Sequence, residues 1–172
     1  MAVLGPPPQA ISRHEVISVQ AEDAKQIALD LFAKKYNCAE ATLSALVQAL
    51  DLDSNCDPRI ATGFGAGLGR WGEVCGAVAG AVMAIGLVYG RTGVDDIDSR
   101  ERVYPKVNQI LQAFEQEFGS IRCLDLTGCD MRTPEGMARS KELDLHGSVC
   151  PKFVAFATEA AVRIINEKRE TH

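Results

Sequence analysis

Apolar residues recur at helical spacing along most of this chain, and this periodicity predicts five helices. They cover roughly residues 22–35, 38–50, 73–89, 96–118 and 153–164. Pro105 is expected to kink the fourth helix or to mark a late start, and Gly119 is a natural C-terminal stop. No segment alternates apolar and polar residues convincingly enough to predict a strand. The pattern therefore predicts an all-α fold, a single-domain bundle of about five helices.

The third predicted helix differs from the others because small and apolar residues make up almost all of it. Gly72, Gly76, Gly80 and Ala84 recur at every fourth position and therefore share one face. Side chains this small let another backbone approach closely. We expect a central Gly/Ala-rich helix with a neighbouring helix, or a second copy of the chain, against this face. The uncharged run 74–90 is short for a membrane span, which favours a buried helix.

Composition and charge narrow the class of protein. The chain has 172 residues, 47% of them hydrophobic, which is enough for one domain with a core of its own. A net charge of −5 without a basic run argues against nucleic-acid binding. We expect a flexible lead-in over 1–20 and one helical domain over 21–170. No secretory signal is recognised, so a cytoplasmic protein is expected, in which lasting disulfides are uncommon.

Three of the six cysteines fall where helices are predicted to begin. Asn37 and Glu40 have the spacing of a capping box at the start of the second helix. Gly72 is a plausible start of the third helix, and Ser148 is a plausible N-cap of the last. These starts place Cys38 in the first turn of the second helix, Cys75 in that of the third and Cys150 in that of the last.

A helix start presents free N–H groups and the positive end of the helix dipole, both of which favour a thiolate. Cys123 follows Gly119 and Ser120 and is expected to open a short turn. Arg70, near Cys75, and Arg122, beside Cys123, are expected to lower the pKa of these cysteines further. We therefore interpret these cysteines as activated thiols or ligands. Cys56 is interpreted as an inert, buried residue. For Cys129, both interpretations, an inert residue and an activated thiol or ligand, remain open.

The order of these residues resembles a known family, the redox-active proteins named for the pattern C_GCAxxG_C_C. The resemblance covers roughly residues 21–168 and lies in Tyr36–Glu40, the motif Cys75–Gly80, Cys123 and Cys150. The central motif reads Cys-Gly-Ala here, whereas the family name has Gly-Cys-Ala. The resemblance implies a redox role without a particular substrate. It implies these site residues: Cys38, Cys75, Cys123 and Cys150 as redox thiols, with Gly76 and Gly80 as cofactor-binding glycines.

Three functions remain open on the sequence. In the first, a thiol-dependent oxidoreductase, Cys75 is a low-pKa thiol that forms a disulfide with Cys38, Cys123 or Cys150. In the second, the same four cysteines hold zinc or an iron–sulfur cluster. In the third, the chain is a non-enzymatic helical interaction module. A homodimer and a redox partner protein are expected partners. A related domain occurs in split-Soret type cytochromes, but this chain has no Cys-x-x-Cys-His haem attachment motif.

Three other features carry weaker hypotheses. His146 is a candidate ligand or proton shuttle, although a solvated loop histidine is the favoured interpretation. Trp71 is expected to plug the core beside the glycines rather than to stack on a cofactor. The glycines of 63–69 are expected to serve as a hinge or in close packing, with an anion cradle as the weaker alternative.

Overall fold

The computed structural model describes residues 13–52 and 58–167, and within them helices dominate. No strand is present in these two ranges beyond one isolated antiparallel bridge. The all-α class is therefore confirmed. Cys56, the first twelve residues of the predicted lead-in and residues 168–170 of the predicted domain lie outside the described ranges.

The predicted count of about five helices is wrong, because short helices lie between the five long ones. The described residues form α1 Arg13–Ala33, α2 Cys38–Ala49, α3 Arg59–Thr62, α4 Gly65–Leu68, α5 Gly76–Tyr89, α6 Ser99–Phe118, α7 Cys123–Thr127, α8 Pro134–Glu142, a π-helix Leu145–Val149, and α9 Cys150–Asn166. The five predicted helices correspond to α1, α2, α5, α6 and α9. The additional helices are four to nine residues long, which is too short for apolar periodicity to define them.

Several helix boundaries differ from the prediction for local reasons. Helix α5 begins three residues later than predicted, because Gly72 has φ 84° and Cys75 is the N-cap. Helix α6 begins before Pro105 and continues through it. Gly119 ends α6 as predicted, with φ 80° and its N–H donating to the carbonyl of Glu115.

Helix α5 lies at the centre of the bundle, where it packs against α2, α6 and α9. Its small-residue face meets α2 of the same chain: a Cβ added at Gly80 would lie 2.6 Å from the carbonyl oxygen of Ala39. The predicted close approach is therefore confirmed for Gly76 and Gly80, whereas Gly72 lies outside the helix. Across the described ranges, no helix combines the length and the apolar character that crossing a bilayer requires.

Candidate thiol site

The four signature cysteines line one cavity of about 380 Å³. They come from four separate elements: the starts of α2, α7 and α9, and the residue before α5. The apolar part of the wall consists of Phe32, Ala66, Leu126, Met131, Leu145 and Phe153. The polar part consists of Asn37, Thr127, Ser140, Lys141, Asp144 and His146. Residues far apart in the sequence thus form one site rich in thiols.

A short antiparallel backbone pairing joins the segment before α5 to the segment before α7. The N–H of Cys75 donates to the carbonyl of Ile121 at 2.8 Å, and the N–H of Cys123 donates to the carbonyl of Glu73 at 2.7 Å. In this register Cys75 and Cys123 are a diagonal pair on the same face, for which Cα atoms are typically about 7–8 Å apart. The pairing is too short to show strand alternation, so no sequence pattern indicated it.

The short element α4 and the two residues after it form a left-handed turn beside this pairing, not a right-handed helix. Residues 66–70 all have positive φ, and three of them are not glycine: Ala66 at 52°, Leu68 at 62° and Arg70 at 75°. Gly67 packs most closely, because a Cβ there would lie 2.7 Å from the Cβ of Cys123 and 2.7 Å from the backbone of Glu73. The predicted close-packing role is confirmed at this glycine. The strained turn holds the cavity wall at Ala66.

A complete capping box begins α2, as predicted. The side-chain oxygen of Asn37 accepts from the N–H groups of Ala39 at 2.9 Å and Glu40 at 3.0 Å. The carboxylate of Glu40 accepts from the N–H of Asn37 at 2.8 Å. Because Cys38 is the first residue inside this capped turn, its backbone position is fixed by hydrogen bonds on both sides.

The Cys38 sulfur lies against the first residue of α5. A Cβ at Gly76 would overlap this sulfur, so the glycine makes room for it. Burial raises the pKa of the Cys38 thiol, while the backbone N–H groups of Ala66, Ala39 and Gly76, among others, lower it by a smaller amount. The helix-start effect predicted from the sequence is therefore present at Cys38, and burial outweighs it.

The prediction of low-pKa thiols is wrong for the reduced protein. Burial is the largest cause at each thiol. It raises the pKa of Cys38 and of Cys75, that of Cys123 to about 11 and that of Cys150 to about 12. The N–H groups at the start of α5 lower the pKa of Cys75, but less than desolvation raises it. Arg122 pairs with the carboxylates of Glu73 and Asp125 instead of a thiolate.

The four thiols are electrostatically coupled. A negative charge on Cys38 raises the pKa of Cys75, Cys123 and Cys150. Cys123 likewise raises the pKa of Cys75 and Cys150. Coupled groups lose their protons one after another, so one thiolate in the cavity opposes formation of the next.

Cys150 begins α9 without the predicted N-cap. Ser148 lies inside the π-helix, and its hydroxyl donates to the carbonyls of Leu143 at 3.0 Å and Asp144 at 2.8 Å. The prediction of Ser148 as an N-cap is therefore wrong, because the chain is already helical before α9. π-Helical turns are rare and occur frequently at functional sites.

His146 belongs to the cavity wall and is not a solvated loop residue, so the favoured interpretation of it is wrong. Its ring stacks on Phe32 with centroids 4.0 Å apart and planes at 13°. Burial, followed by the positive charge of Lys35, lowers the pKa of His146. Sequence reasoning missed Phe32, although it continues the row of buried residues at Ala24 and Ala28 by one more helical turn. The sequence marked His146 as the less favoured candidate for a ligand or proton shuttle, and no pattern indicated its contact with Phe32.

Several other residues singled out in the sequence do not line the cavity. Trp71 is 59% exposed, with the Arg132 guanidinium 5.2 Å from its ring centroid, so the prediction of a core plug is wrong. Cys129 is buried but does not line the cavity. Gly76 and Gly80 face α2 and are not among the cavity-lining residues.

The thiols are free, and among the described residues they are not grouped as a metal site. Every cysteine within the two described ranges is unpaired. In the same part of the chain, no group of three or more His, Cys, Asp and Glu side chains is arranged to hold a metal ion. The four-cysteine metal set predicted from the sequence therefore shares a cavity without forming a coordination site.

The comparisons with known proteins agree with the cysteine pattern. A family model described as "Putative redox-active protein (C_GCAxxG_C_C)" matches residues 36–164, which is most of the chain. A protein of Archaeoglobus fulgidus named "Uncharacterized protein" is 32% identical over 114 residues, covering 62% of this chain and 76% of that protein. No solved structure matches the chain significantly. The family resemblance seen in the sequence is confirmed.

Proposed function

Since the chain belongs to the C_GCAxxG_C_C family of redox-active proteins, we propose that its cavity carries out reversible thiol–disulfide chemistry as a thiol-dependent oxidoreductase. One observation carries this proposal: all four signature thiols line one cavity, and all four are free. Two thiols form one S–S bond and lose two protons and two electrons, which pass to an organic two-electron acceptor. Reduction by an external dithiol reverses the step.

Cys38 is the proposed attacking thiol, in place of the Cys75 expected from the sequence. Several backbone N–H groups lower its pKa, which stabilises its thiolate relative to an equally buried thiol without them. Its charge acts on each of the other three thiols, which indicates a central position among them. Cys75 is the proposed partner, because the Cys38 sulfur touches Gly76, the neighbour of Cys75 in the chain.

The raised pKa values fit a resting state in which the reduced thiols are protonated. A protonated thiol is a poor nucleophile, so these cysteines are protected from indiscriminate oxidation. Attack requires that Cys38 lose its proton, and its N–H donors then stabilise the thiolate that forms. The proposed centre therefore reacts with an acceptor bound in the cavity faster than with one in bulk solvent.

The test compares two cysteine variants that differ in their relation to the cavity. Reduced protein is treated with diamide without oxygen, and intact mass and alkylated peptides are measured before and after a dithiol is added. Wild type and the control Cys129→Ser, which changes a buried thiol outside the cavity, should each lose two hydrogens and regain them. Cys38→Ser should retain all its hydrogens. Disulfide formation in Cys38→Ser equal to that in the control would contradict the assignment.

Native mass spectrometry tests the metal alternative on the same preparation. Protein purified without oxygen should have the same mass in native and denaturing conditions, apart from solvent. Additional mass that matches zinc or an iron–sulfur cluster and is lost in Cys38→Ser would replace the disulfide proposal with a metal site.

Localisation and assembly follow as further parts of the proposal. A cytoplasmic location supports the chemistry, because reducing systems there return disulfides to thiols. A homodimer would need a surface other than the small-residue face of α5, which α2 of the same chain covers. Light scattering on the purified protein measures the oligomeric state, and a monomer at all concentrations would contradict the dimer.

A further inference from the structure

The cavity has the size of a small-molecule site. Its volume of about 380 Å³ lies at the lower end of the range of ligand pockets, about 300–1,000 Å³. Cys75 and Cys123 are only 4% and 7% exposed, so the disulfide of a folded partner protein has little access to them. A compact molecule that enters the cavity can approach the thiols. The burial therefore favours a small acceptor over a redox partner protein.

The walls of the cavity suit a flat, mostly apolar molecule. The parallel rings of Phe32 and His146 form part of the wall, and Phe153 from α9 contributes a third ring. Met131, with its flexible thioether, lines the cavity with Leu126 and Leu145. Aromatic surfaces of this kind stack on planar rings.

Positive charge lies around the cavity although the whole chain has a net charge of −5. Lys141 lines the cavity, Lys35 acts on His146 and lowers its pKa, and Lys152 lowers the pKa of Cys150. Asp144 is the acidic residue among the lining residues. Lysine ammonium groups stabilise an oxygen atom that becomes negative during reduction. The acceptor that fits both the walls and these charges is planar and has oxygen atoms that gain charge.

From the volume, the aromatic wall and the lysines, we propose that the cavity binds a quinone of one or two rings, which its thiols reduce to the hydroquinone. This inference rests on the proposed thiol–disulfide function and names the acceptor class for it. Two thiols lose two electrons and two protons and form one S–S bond, while the quinone gains both electrons and both protons on its oxygens. His146 and Lys141 are two of the lining residues that can donate to those oxygens.

Duroquinone is the probe for this proposal, since its four methyl groups block addition of a thiol to the ring carbons. Fully reduced protein is mixed with duroquinone without oxygen, and hydroquinone formation is followed by absorbance while intact mass reports the thiols. Wild-type protein should form one hydroquinone per disulfide and lose two hydrogens in the same time course.

A matched pair of cavity variants links this reaction to the cavity. Met131→Trp adds bulk to a lining residue, whereas Met137→Trp makes the same change at a half-buried position of α8 that does not line the cavity. The rate with duroquinone should fall about tenfold or more in Met131→Trp and change little in Met137→Trp. Thermal unfolding of both variants establishes that they are folded. Equal rates in the two variants would overturn the proposal.

The diamide experiment separates failure of this inference from failure of the proposed function. If diamide oxidises wild type reversibly and duroquinone does not, the quinone proposal is overturned and the thiol–disulfide function stands. If neither reagent oxidises the protein, both are overturned. A mass increase equal to bound duroquinone in place of the loss of two hydrogens would also overturn the quinone proposal, since it would show adduct formation without electron transfer.

Discussion

Gly76→Ala tests the contact between α5 and the Cys38 sulfur more directly than any other substitution. An added Cβ would overlap this sulfur and would lie 2.9 Å from the carbonyl oxygen of Phe64 and 3.2 Å from the nitrogen of Ala39. Two of these three neighbours are backbone atoms and cannot move independently. The sulfur belongs to a residue that the capping box holds in place, so it cannot move freely either.

The size of the effect follows from two opposing contributions. Overpacking of a well-packed site costs about 1–3 kcal/mol, while replacing a helical glycine by alanine gains up to about 1 kcal/mol. Against a mid-range cost of about 2 kcal/mol, this gain leaves a net loss of unfolding free energy of about 1–2 kcal/mol. For a chain of this size, that corresponds to a fall in Tm of about 2–8 °C. Displacement of the Cys38 sulfur should also slow disulfide formation with diamide.

Gly86→Ala is the matched control in the same helix, because a Cβ there meets no atom within 4 Å apart from its chain neighbours and the backbone of its own helix. This control should raise Tm by about 1–4 °C, since only the helical gain remains. Both variants are measured by thermal unfolding of the reduced protein, alone and combined with Cys38→Ala. The penalty of Gly76→Ala should shrink in the Cys38→Ala background. Equal rises in Tm for the two glycine variants would refute the close contact.

Three more predictions follow from other features of the structure. At pH 8, Cys123 with a pKa of about 11 should react with iodoacetamide about 100-fold more slowly than a thiol at the ordinary value of 9.0. The alkylation rate of Cys123 should rise about tenfold per pH unit, which mass-resolved alkylation measures. Since the folded state favours the protonated thiol, the contribution of Cys123 to the unfolding free energy should fall between about pH 9 and 11, which unfolding measured against pH tests. Asn37→Ala should cost about 1 kcal/mol through loss of the capping box, whereas the exposed helical residue Gln48 should tolerate alanine; chemical denaturation compares them. Leu68→Gly should raise the unfolding free energy by about 0.5–1 kcal/mol, because Leu68 is 45% exposed and has φ 62°; a lower Tm would contradict the assignment of strain.

The elements that the sequence predicted well are those whose signal is local. The capping box of Asn37 and Glu40 depends on four successive residues. Gly119 ends α6 through a hydrogen bond to Glu115, only one helical turn earlier. The signature cysteines could be named because their order and flanking glycines match a family pattern. Each of these features can be interpreted without knowing what lies across the molecule.

The features that sequence reasoning missed depend on contacts between distant segments. The pKa of Cys123 is set by burial, and burial follows from packing that no local pattern encodes. His146 becomes part of the site because α1 brings Phe32 against it. Trp71 shows the converse, since a large aromatic residue that composition places in the core lies at the surface beside Arg132.

The dispersal of the thiols from position 38 to position 150 has a consequence for biosynthesis. A chain emerging from the ribosome exposes Cys38 and Cys75 long before α9 exists to complete the cavity. The nascent thiols thus lack the burial that raises their pKa in the finished protein. An opening that detaches α9 from the bundle removes Cys150 and Phe153 from the cavity wall and gives solvent access to the remaining thiols. The rate at which these cysteines are labelled under native conditions is therefore a measure of how often the C-terminal helix undocks.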